Sequence, residues 1–527
     1  MSGSQSTEEY CRFCPGEEHV RISDAVCKGR RRVSYHKCKT CAFNDDLKEQ
    51  PPPPMPENVR QLFEDEGRSV QEVFGVYDVR GLYPSPLNED LVWRIGHGTG
   101  QFLRSVLRGY DRSDPARNRL VVGHDMRPSS PSLHTAVIEG ARCSGTEVID
   151  IGEVDTPQLY FAINYLGSCG GIQVTASHNP IEYNGLKICG QGARPIAIDT
   201  GLKEIKQIAQ HMAKHETGVH APMSRVNLAK PYRAFVRGFL LPPKPLKVVV
   251  DASNGMGGLW IPILFDDVEG LEIIPLNFDR SGRFAHDPNP LVETNLRQVR
   301  EAVLCEGADF GACFDGDADR CVFIDERGEI VRSDLMTALL AERFLRERPG
   351  SVVVYDLRSS RVVPEEITRL GGQPRRERVG YAFMRKALGE NDGCFGGELS
   401  GHFYFRENWY CDSGMLAFVH VMNTLTERGQ PLSDLIAPLR RYHSSGERSF
   451  QNDAKDATIE ALAERYADGQ IDYLDGITVQ YDRWWFNVRK SNTEPLLRLN
   501  VEADTPELLE TELAELSSQL GQPVPSA

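Results

Sequence analysis

"DFGACFDGDADRCVFIDERG", residues 309–328, reads as an apolar strand, an acidic loop and a second apolar strand. Asp315, Asp317 and Asp319 alternate within the loop. Carboxylates this close repel one another unless a cation lies between them, and oxygen ligands select a hard ion such as Mg²⁺ or Ca²⁺. An EF-hand is one reading, because Glu326 falls at loop position 12. But position 6 of such a loop needs glycine for its sharp turn, and here it is Arg320. The flanks "ACF" and "CVFI" also suit strands better than helices. An acidic surface turn is the plain alternative. The reading favoured is a Mg²⁺ loop between two strands, since Mg²⁺ takes few protein ligands and completes its shell with phosphate oxygens.

Working outward, the same order recurs. "RLVVGHD" (119–125) is a strand entering a turn, and "SLHTAVIEGARCSG" (132–145) is helical. "GGIQVTASHN" stops at a loop, "LKVVVDASNGMGG" (246–258) ends in a Gly-rich turn, and "SVVVYDLRSS" (351–360) is again strand then loop. Repeated strand-then-helix order predicts α/β domains with mainly parallel sheets, whose ligands bind beyond the carboxyl ends of the strands. The tail differs. "DGITVQYDRWWFNVRKSNTEPLLRLNVEAD" (475–504) holds three strand-like runs, and "TPELLETELAELSSQL" (505–520) a closing helix, which predicts a small α+β domain. No short fixed-period repeat is visible.

The chain of 527 residues is long enough for roughly three to five domains. Its net charge of −15 argues against general nucleic-acid binding. The thirteen cysteines lie mostly alone in apolar runs, as reduced buried thiols do. The polar start "MSGSQSTEEYCRFC" has no apolar signal region, and no stretch is apolar enough to span a membrane. A cytoplasmic protein without a membrane partner is the expectation.

Three more loops carry chemistry. "GGELSGHFYF" (396–405) brings Glu398, Ser400 and His402 together in a Gly-tightened loop. Alternate side chains of an extended segment point one way, so a sugar could meet carboxylate and hydroxyl at once; a β-turn with a satisfied histidine is the alternative. "RKSNTEPLLR" (489–498) offers Arg489, Lys490, Ser491, Asn492, Thr493 and Arg498, donors that suit a phosphate dianion or simply a solvated basic turn. "TASHNP" (175–180) places Ser177 beside His178 at a strand end, with Lys187 following in "NGLK". No GxSxG elbow is present, and an adjacent histidine is poorly placed as a base for its neighbour's hydroxyl. Lys187, near a cation and phosphates, could move protons.

Taken together, "TASHNP" with "NGLK", "DGDADR", "GELSGH" and "RKSNTEP", in that order, resemble the α-D-phosphohexomutase superfamily and within it the phosphomannomutase/phosphoglucomutase group. "VYDVRGLYP" (76–84) and "GHDMRPSS" (123–130) match that group too, so the resemblance covers roughly residues 70–515. It implies an α/β fold of four domains, three related α/β domains and a C-terminal α+β domain. They are placed at 70–225, 226–326, 327–442 and 443–527. It further implies that Ser177 carries a phosphoryl group, gives it to the sugar to form a hexose 1,6-bisphosphate, and recovers the other phosphate after the intermediate turns. Hexose 1-phosphate and hexose 6-phosphate, of mannose or glucose, are thereby interconverted. By the same resemblance Asp315, Asp317, Asp319 and Ser177 hold Mg²⁺, and hexose 1,6-bisphosphate is the activator. Lys187, Arg80, His178 and Arg320 assist transfer. Tyr381, Glu398, Ser400 and His402 meet the sugar, and Arg489, Ser491, Asn492, Thr493 and Arg498 meet the phosphate that does not react.

Two features depart from the group. Tyr381, in "VGYAFMRK" (379–386), stands where the family often has histidine, and tyrosine is a poorer acid–base group near neutrality. "RKSNTEP" itself leans away from the phosphoglucosamine mutases, which usually show Ser-Gly-Thr there. The second departure is the amino-terminal segment, 1–50, followed by a proline-rich linker at 51–69 containing "PPPPMP". Cys11 and Cys14 in "CRFC", with Cys38 and Cys41 in "CKTC", have the spacing of a structural tetrahedral Zn²⁺ site resembling a zinc ribbon. So small a piece needs such a staple, and "KGRRR" (28–32) is a solvated loop or a contact for an anion or a protein partner. Two other readings compete with the mutase: a sugar-phosphate sensor on the same scaffold, and a phosphatase that uses Ser177 transiently.

Overall fold

The computed structural model describes residues 11–13, 21–23, 70–106, 118–212, 220–491 and 496–524. The chain divides into two compact units, Met1–Asp65 and Glu66–Ala527. In the first unit the described strands Cys11–Phe13 and Arg21–Ser23 pair antiparallel, with Cys11 opposite Ser23. Cys14, Cys38, Cys41 and the 51–69 linker lie outside the described residues, as does the side chain of Cys11.

Among the described residues the second unit contains four sheets. The first has the order Val79–Leu82, Tyr183–Gly190, Gly170–Val174, Arg119–His124, Glu147–Glu153, Met223–Arg225. The second runs Leu271–Leu276, Leu246–Asp251, Phe310–Phe314, Cys321–Asp325, Ile330–Val331. The third runs Gln373–Glu377, Val352–Asp356, Phe395–Gly397, Phe403–Phe405, Cys411–Asp412. One plan underlies all three. A central strand has parallel neighbours on both sides, and one neighbour turns back into an antiparallel hairpin. The sheets are therefore mixed, where strand–helix alternation alone predicts mainly parallel ones. The difference has a local cause: "TASHNP", "DGDADR" and "GELSGH" each return the chain directly in a short loop rather than through a crossover helix.

Phe310–Phe314 and Cys321–Asp325 are buried at every position, which explains their unbroken apolar character. Gln373–Glu377, "QPRRE", carries no apolar pattern and was not legible as a strand. It lies at a sheet edge, where Pro374 and two arginines are tolerated and discourage further pairing.

The fourth sheet is antiparallel, ordered Gln470–Asp472, Ile477–Gln480, Trp484–Lys490, Leu496–Ala503, Arg448–Gln451, Gln522–Val524. The helix Pro506–Leu520 closes it, with Thr505 Oγ1 accepting from the Leu508 N–H at 3.3 Å and proline in the first turn.

One apolar cluster runs continuously through the first three domains, including Tyr160, Val250, Phe314, Phe403 and Phe418. The fourth domain keeps its own, around Phe450, Ile477, Phe486 and Leu516. It is tied to the third by polar contacts. Arg361 donates from Nη1 to the Asp482 carbonyl at 2.9 Å and from Nη2 to the Trp484 carbonyl at 3.1 Å. Its backbone N–H donates to Glu502 Oε1 at 3.0 Å. A separate core with a polar tie should melt by itself. Calorimetry should show a distinct transition for the fourth domain, and Arg361→Ala should lower that transition by about 5 °C or more, given that ~1 kcal/mol shifts a domain of this size by that much. A single transition that moves as a whole would contradict two separate cores.

Candidate active site

Ser177 follows the strand Gly170–Val174 in a turn where its own φ is 51°, a left-handed value that a side chain adopts at a cost. The surroundings hold it there. Its N–H donates to Thr175 Oγ1 at 2.9 Å. The buried guanidinium of Arg127 donates to four backbone carbonyls of this loop: Ser177 at 3.0 Å, Asn179 at 2.6 Å, Pro180 at 2.6 Å and Tyr183 at 3.0 Å. Asp125 balances the Arg127 charge from 3.2 Å. The turn also brings His178 back onto its neighbour, with Nδ1 3.3 Å from Ser177 Oγ. The left-handed turn makes this contact between chain neighbours. Burial, and then the Arg320, Arg80 and Lys187 charges, push the His178 pKa well down, so the ring is neutral.

The acidic loop of the second domain meets this turn. Ser177 Oγ donates to Asp315 Oδ2 at 2.9 Å. Asp315, Asp317 and Asp319 are all buried, and their carboxylates face one another within 4.8 Å. Burial pushes the Asp315 carboxyl well up, and the Asp319 and Asp317 charges add to this. Burial also pushes on Asp319, but the Lys187 ammonium and the His402 imidazole outweigh it and hold that carboxyl well below its usual range. Lys187 Nζ donates to Asp317 Oδ2 at 2.7 Å and also to Asp319 Oδ2. Burial disfavours its charge, yet the Asp317, Asp319 and Asp315 carboxylates raise its pKa above the ordinary lysine value. Asp317 Oδ1 and Asp319 Oδ1 are buried and find no hydrogen-bond partner among the described residues. Oxygen donors of this number, charge and unmet capacity fit a Mg²⁺ ion.

From there polar contacts continue toward the fourth domain. The Arg320 N–H donates to Asp315 Oδ1 at 3.2 Å, and its guanidinium Nε lies 3.4 Å from His402 Nε2. His402 Nδ1 is 3.0 Å from Ser400 Oγ, which donates to Glu398 Oε2 at 3.3 Å. The 398–402 loop is a β-turn rather than an extended segment, closed by the Gly401 N–H on the Glu398 carbonyl at 3.1 Å, and it still joins all three side chains. Glu398 also accepts from the Tyr404 hydroxyl, and from the Gly380 N–H at 3.3 Å. Arg80 donates to Asp78 at 2.7 Å and Asn179 at 2.5 Å, beside the Ser177 turn. Arg489 and Arg498 stand opposite each other on neighbouring strands, joined to this line through Glu447 and Arg358, whose Nη2 lies 3.9 Å from Glu398 Oε2. Ser491 ends its strand's loop there, whereas Asn492 and Thr493 lie outside the described residues.

Tyr381 packs against the first domain. It is buried, donates its hydroxyl to the Tyr77 carbonyl at 2.8 Å, and packs edge-on against the Tyr77 ring at 5.0 Å. Burial pushes its pKa well up, so it clamps the first domain to the third and exchanges no proton near neutrality.

Four matches then cover most of the chain. They are the phosphoglucomutase/phosphomannomutase alpha/beta/alpha domain I at residues 71–216, domain II at 233–328, domain III at 332–442 and the C-terminal domain at 450–519. The chain belongs to the phosphoglucomutase/phosphomannomutase family. It is 38% identical over 456 residues to a protein named "Phosphohexose mutases" from Xanthomonas campestris pv. campestris (strain B100), covering 85% of this chain and 98% of that one. It is 37% identical to a phosphomannomutase of Vibrio cholerae serotype O1, covering 82% of this chain and 94% of that protein. A solved phosphoglucomutase/phosphomannomutase family protein from Burkholderia thailandensis superposes with a TM-score of 0.77 at 31% identity, covering 85% of this chain and 97% of that one.

Several side chains placed at the site escaped sequence reasoning. Arg127 and Arg358 sit inside quoted motifs, each just past the end of a buried strand, and that place was the available signal. Asp412, on the short strand Cys411–Asp412, is buried with Oδ2 3.6 Å from His402 Nε2. Burial, then the Asp319 charge, raises it to about 6. Nothing local marked it.

The approach of the Ser177 turn to the acidic loop depends on Gly316. A Cβ there would lie 2.4 Å from the Ser177 carbonyl oxygen, so Gly316→Ala must push the two loops apart. Steady-state assays of this variant should show mutase turnover reduced about 100-fold, the scale of a 1 Å misplacement, with the unfolding temperature changed little. Turnover equal to wild type would show that the close approach does not matter.

Proposed function

We propose that this phosphohexomutase works through Ser177 as a phosphoserine, converting hexose 1-phosphate to hexose 6-phosphate by way of a hexose 1,6-bisphosphate. The single observation that carries this reading is the 2.9 Å hydrogen bond from Ser177 Oγ to Asp315, at the head of a polar line leading to paired arginines in the fourth domain. The phosphoserine O–P bond breaks as an O–P bond forms to the free sugar hydroxyl; that hydroxyl's proton passes to a neighbouring base, and Ser177 Oγ takes up a proton to leave as the free hydroxyl. After the bisphosphate turns, the steps reverse with the other phosphate. Phosphoryl transfer asks mainly for positioning and charge stabilisation. Mg²⁺ bound by Asp315, Asp317 and Asp319 would neutralise charge on the phosphoryl oxygens. Lys187 and Arg80 add fixed positive charge beside Ser177, and the neutral His178 imidazole lies against Ser177 Oγ. Glu398, Ser400 and His402 would hold sugar hydroxyls. Arg489, Ser491, Asn492, Thr493 and Arg498 would hold the phosphate at rest, in whichever orientation the sugar lies.

The family relationship supports an enzyme and lends nothing to a sensor. The free state of all eight cysteines from Cys143 to Cys411 supports a reducing, cytoplasmic setting. Among the described residues no helix is long and apolar enough to cross a membrane.

The test is an assay with Mg²⁺ and a trace of hexose 1,6-bisphosphate on mannose 1-phosphate and glucose 1-phosphate. Isomerisation of either, with almost no inorganic phosphate released, is the expected result, and the ratio of kcat/KM names the preferred sugar. Ser177→Ala should abolish turnover and leave the unfolding temperature unchanged; residual turnover above about 1% would remove Ser177 from the transfer step. Net phosphate release would favour a phosphatase.

We further read residues 1–50 as a zinc module, on the spacing of Cys11, Cys14, Cys38 and Cys41. Metal analysis of the purified chain should find one zinc, lost on Cys38→Ser/Cys41→Ser replacement. A chain free of zinc after purification without chelators would end that reading.

A further inference from the structure

The segment joining the third and fourth domains carries a carboxylate at the meeting point of three guanidiniums. Glu447 accepts from Arg489 Nη2 at 2.8 Å, lies 3.5 Å from Arg358 Nη1, and its other oxygen is 3.7 Å from Arg498 Nη1. It belongs to neither family domain match, falling between residues 442 and 450. Arg358 is matched by Asp356 at 2.8 Å. Glu447 therefore serves Arg489 and Arg498, which sit directly opposite each other on the strands Trp484–Lys490 and Leu496–Ala503. Like charges so placed repel and splay unless a counter-charge gathers them. Arg489 is buried, and its Nε finds no hydrogen-bond partner among the described residues. One edge of its fork is thus held by Glu447 while a buried donor is left unmet. Burial favours the neutral acid at Glu447, but the Arg358, Arg489 and Arg498 charges bring its pKa to about 2, so the counter-charge is permanent.

We propose that Glu447 is a positioning residue for the phosphate that does not react: it aligns Arg489 and Arg498 and fastens them to Arg358 of the third domain. This rests on reading those two arginines as phosphate-binding. Because Glu447 stands in the interdomain connection, it couples the placement of that phosphate to the angle between the two domains.

The experiment is a double-mutant cycle on the full chain, read as KM and kcat for mannose 1-phosphate or glucose 1-phosphate, whichever is turned over faster. Glu447→Gln keeps the shape and removes the charge. It should raise KM about 10-fold with kcat within about twofold, the pattern of lost binding rather than lost chemistry. In the Arg489→Gln background the same change should add almost nothing, because Glu447 acts through that arginine. Glu447→Asp keeps the charge, covers the case in which the glutamine variant misfolds, and should leave KM nearer to wild type. An unchanged or lowered KM in Glu447→Gln, or an effect that multiplies in full with that of Arg489→Gln, overturns the proposal alone. An Arg489→Gln variant with wild-type KM overturns the phosphate-binding reading and the proposal with it.

Discussion

Three carboxylates buried side by side are the constraint on which this structure depends. Asp315, Asp317 and Asp319 have almost no access to water, and their mutual repulsion must be met by positive charge brought from elsewhere. Lys187 supplies it from the first domain, with Nζ between Asp317 and Asp319, and Arg320 supplies more from the loop itself. Two domains are thereby locked at the place where Ser177 must meet the acidic loop. Gly316 allows the closest approach, with no Cβ to strike the Ser177 carbonyl. Electrostatic need and steric allowance therefore act at one point, which is also where the proposed chemistry takes place.

Away from that point the character of the packing changes. The first three domains share an apolar cluster, and such cores resist relative motion. The fourth has its own core and meets the third through Arg361, Arg358 and Glu447. Hydrogen bonds and ion pairs of this kind rearrange more readily than close-packed side chains do. In the reaction proposed above the intermediate turns round, and it needs a phosphate grip that can loosen and reform. The polar attachment of the domain that carries Arg489 and Arg498 suits that need.

Much of this was written in local pattern. Apolar runs ending in polar loops marked strand ends, and those ends are where Ser177, the aspartates and Glu398 stand. Side chains whose role depends on a distant partner were not marked. Tyr381 looked like a replacement for an acid–base group, but Tyr77, some three hundred residues earlier in the chain, occupies its hydroxyl. Asp412 sits on a strand of two residues, too short for any periodic signal. The edge strand Gln373–Glu377 is polar throughout, because an edge does not require an apolar face.

The sequence by itself determined the order of elements and the family, because these depend on residues adjacent in the chain. The return of three loops as hairpins, the contact of His178 with Ser177 and the gathering of three arginines on Glu447 were decided only by tertiary structure. Each requires a backbone turn or a long-range charge balance, and neither is expressed by any single segment.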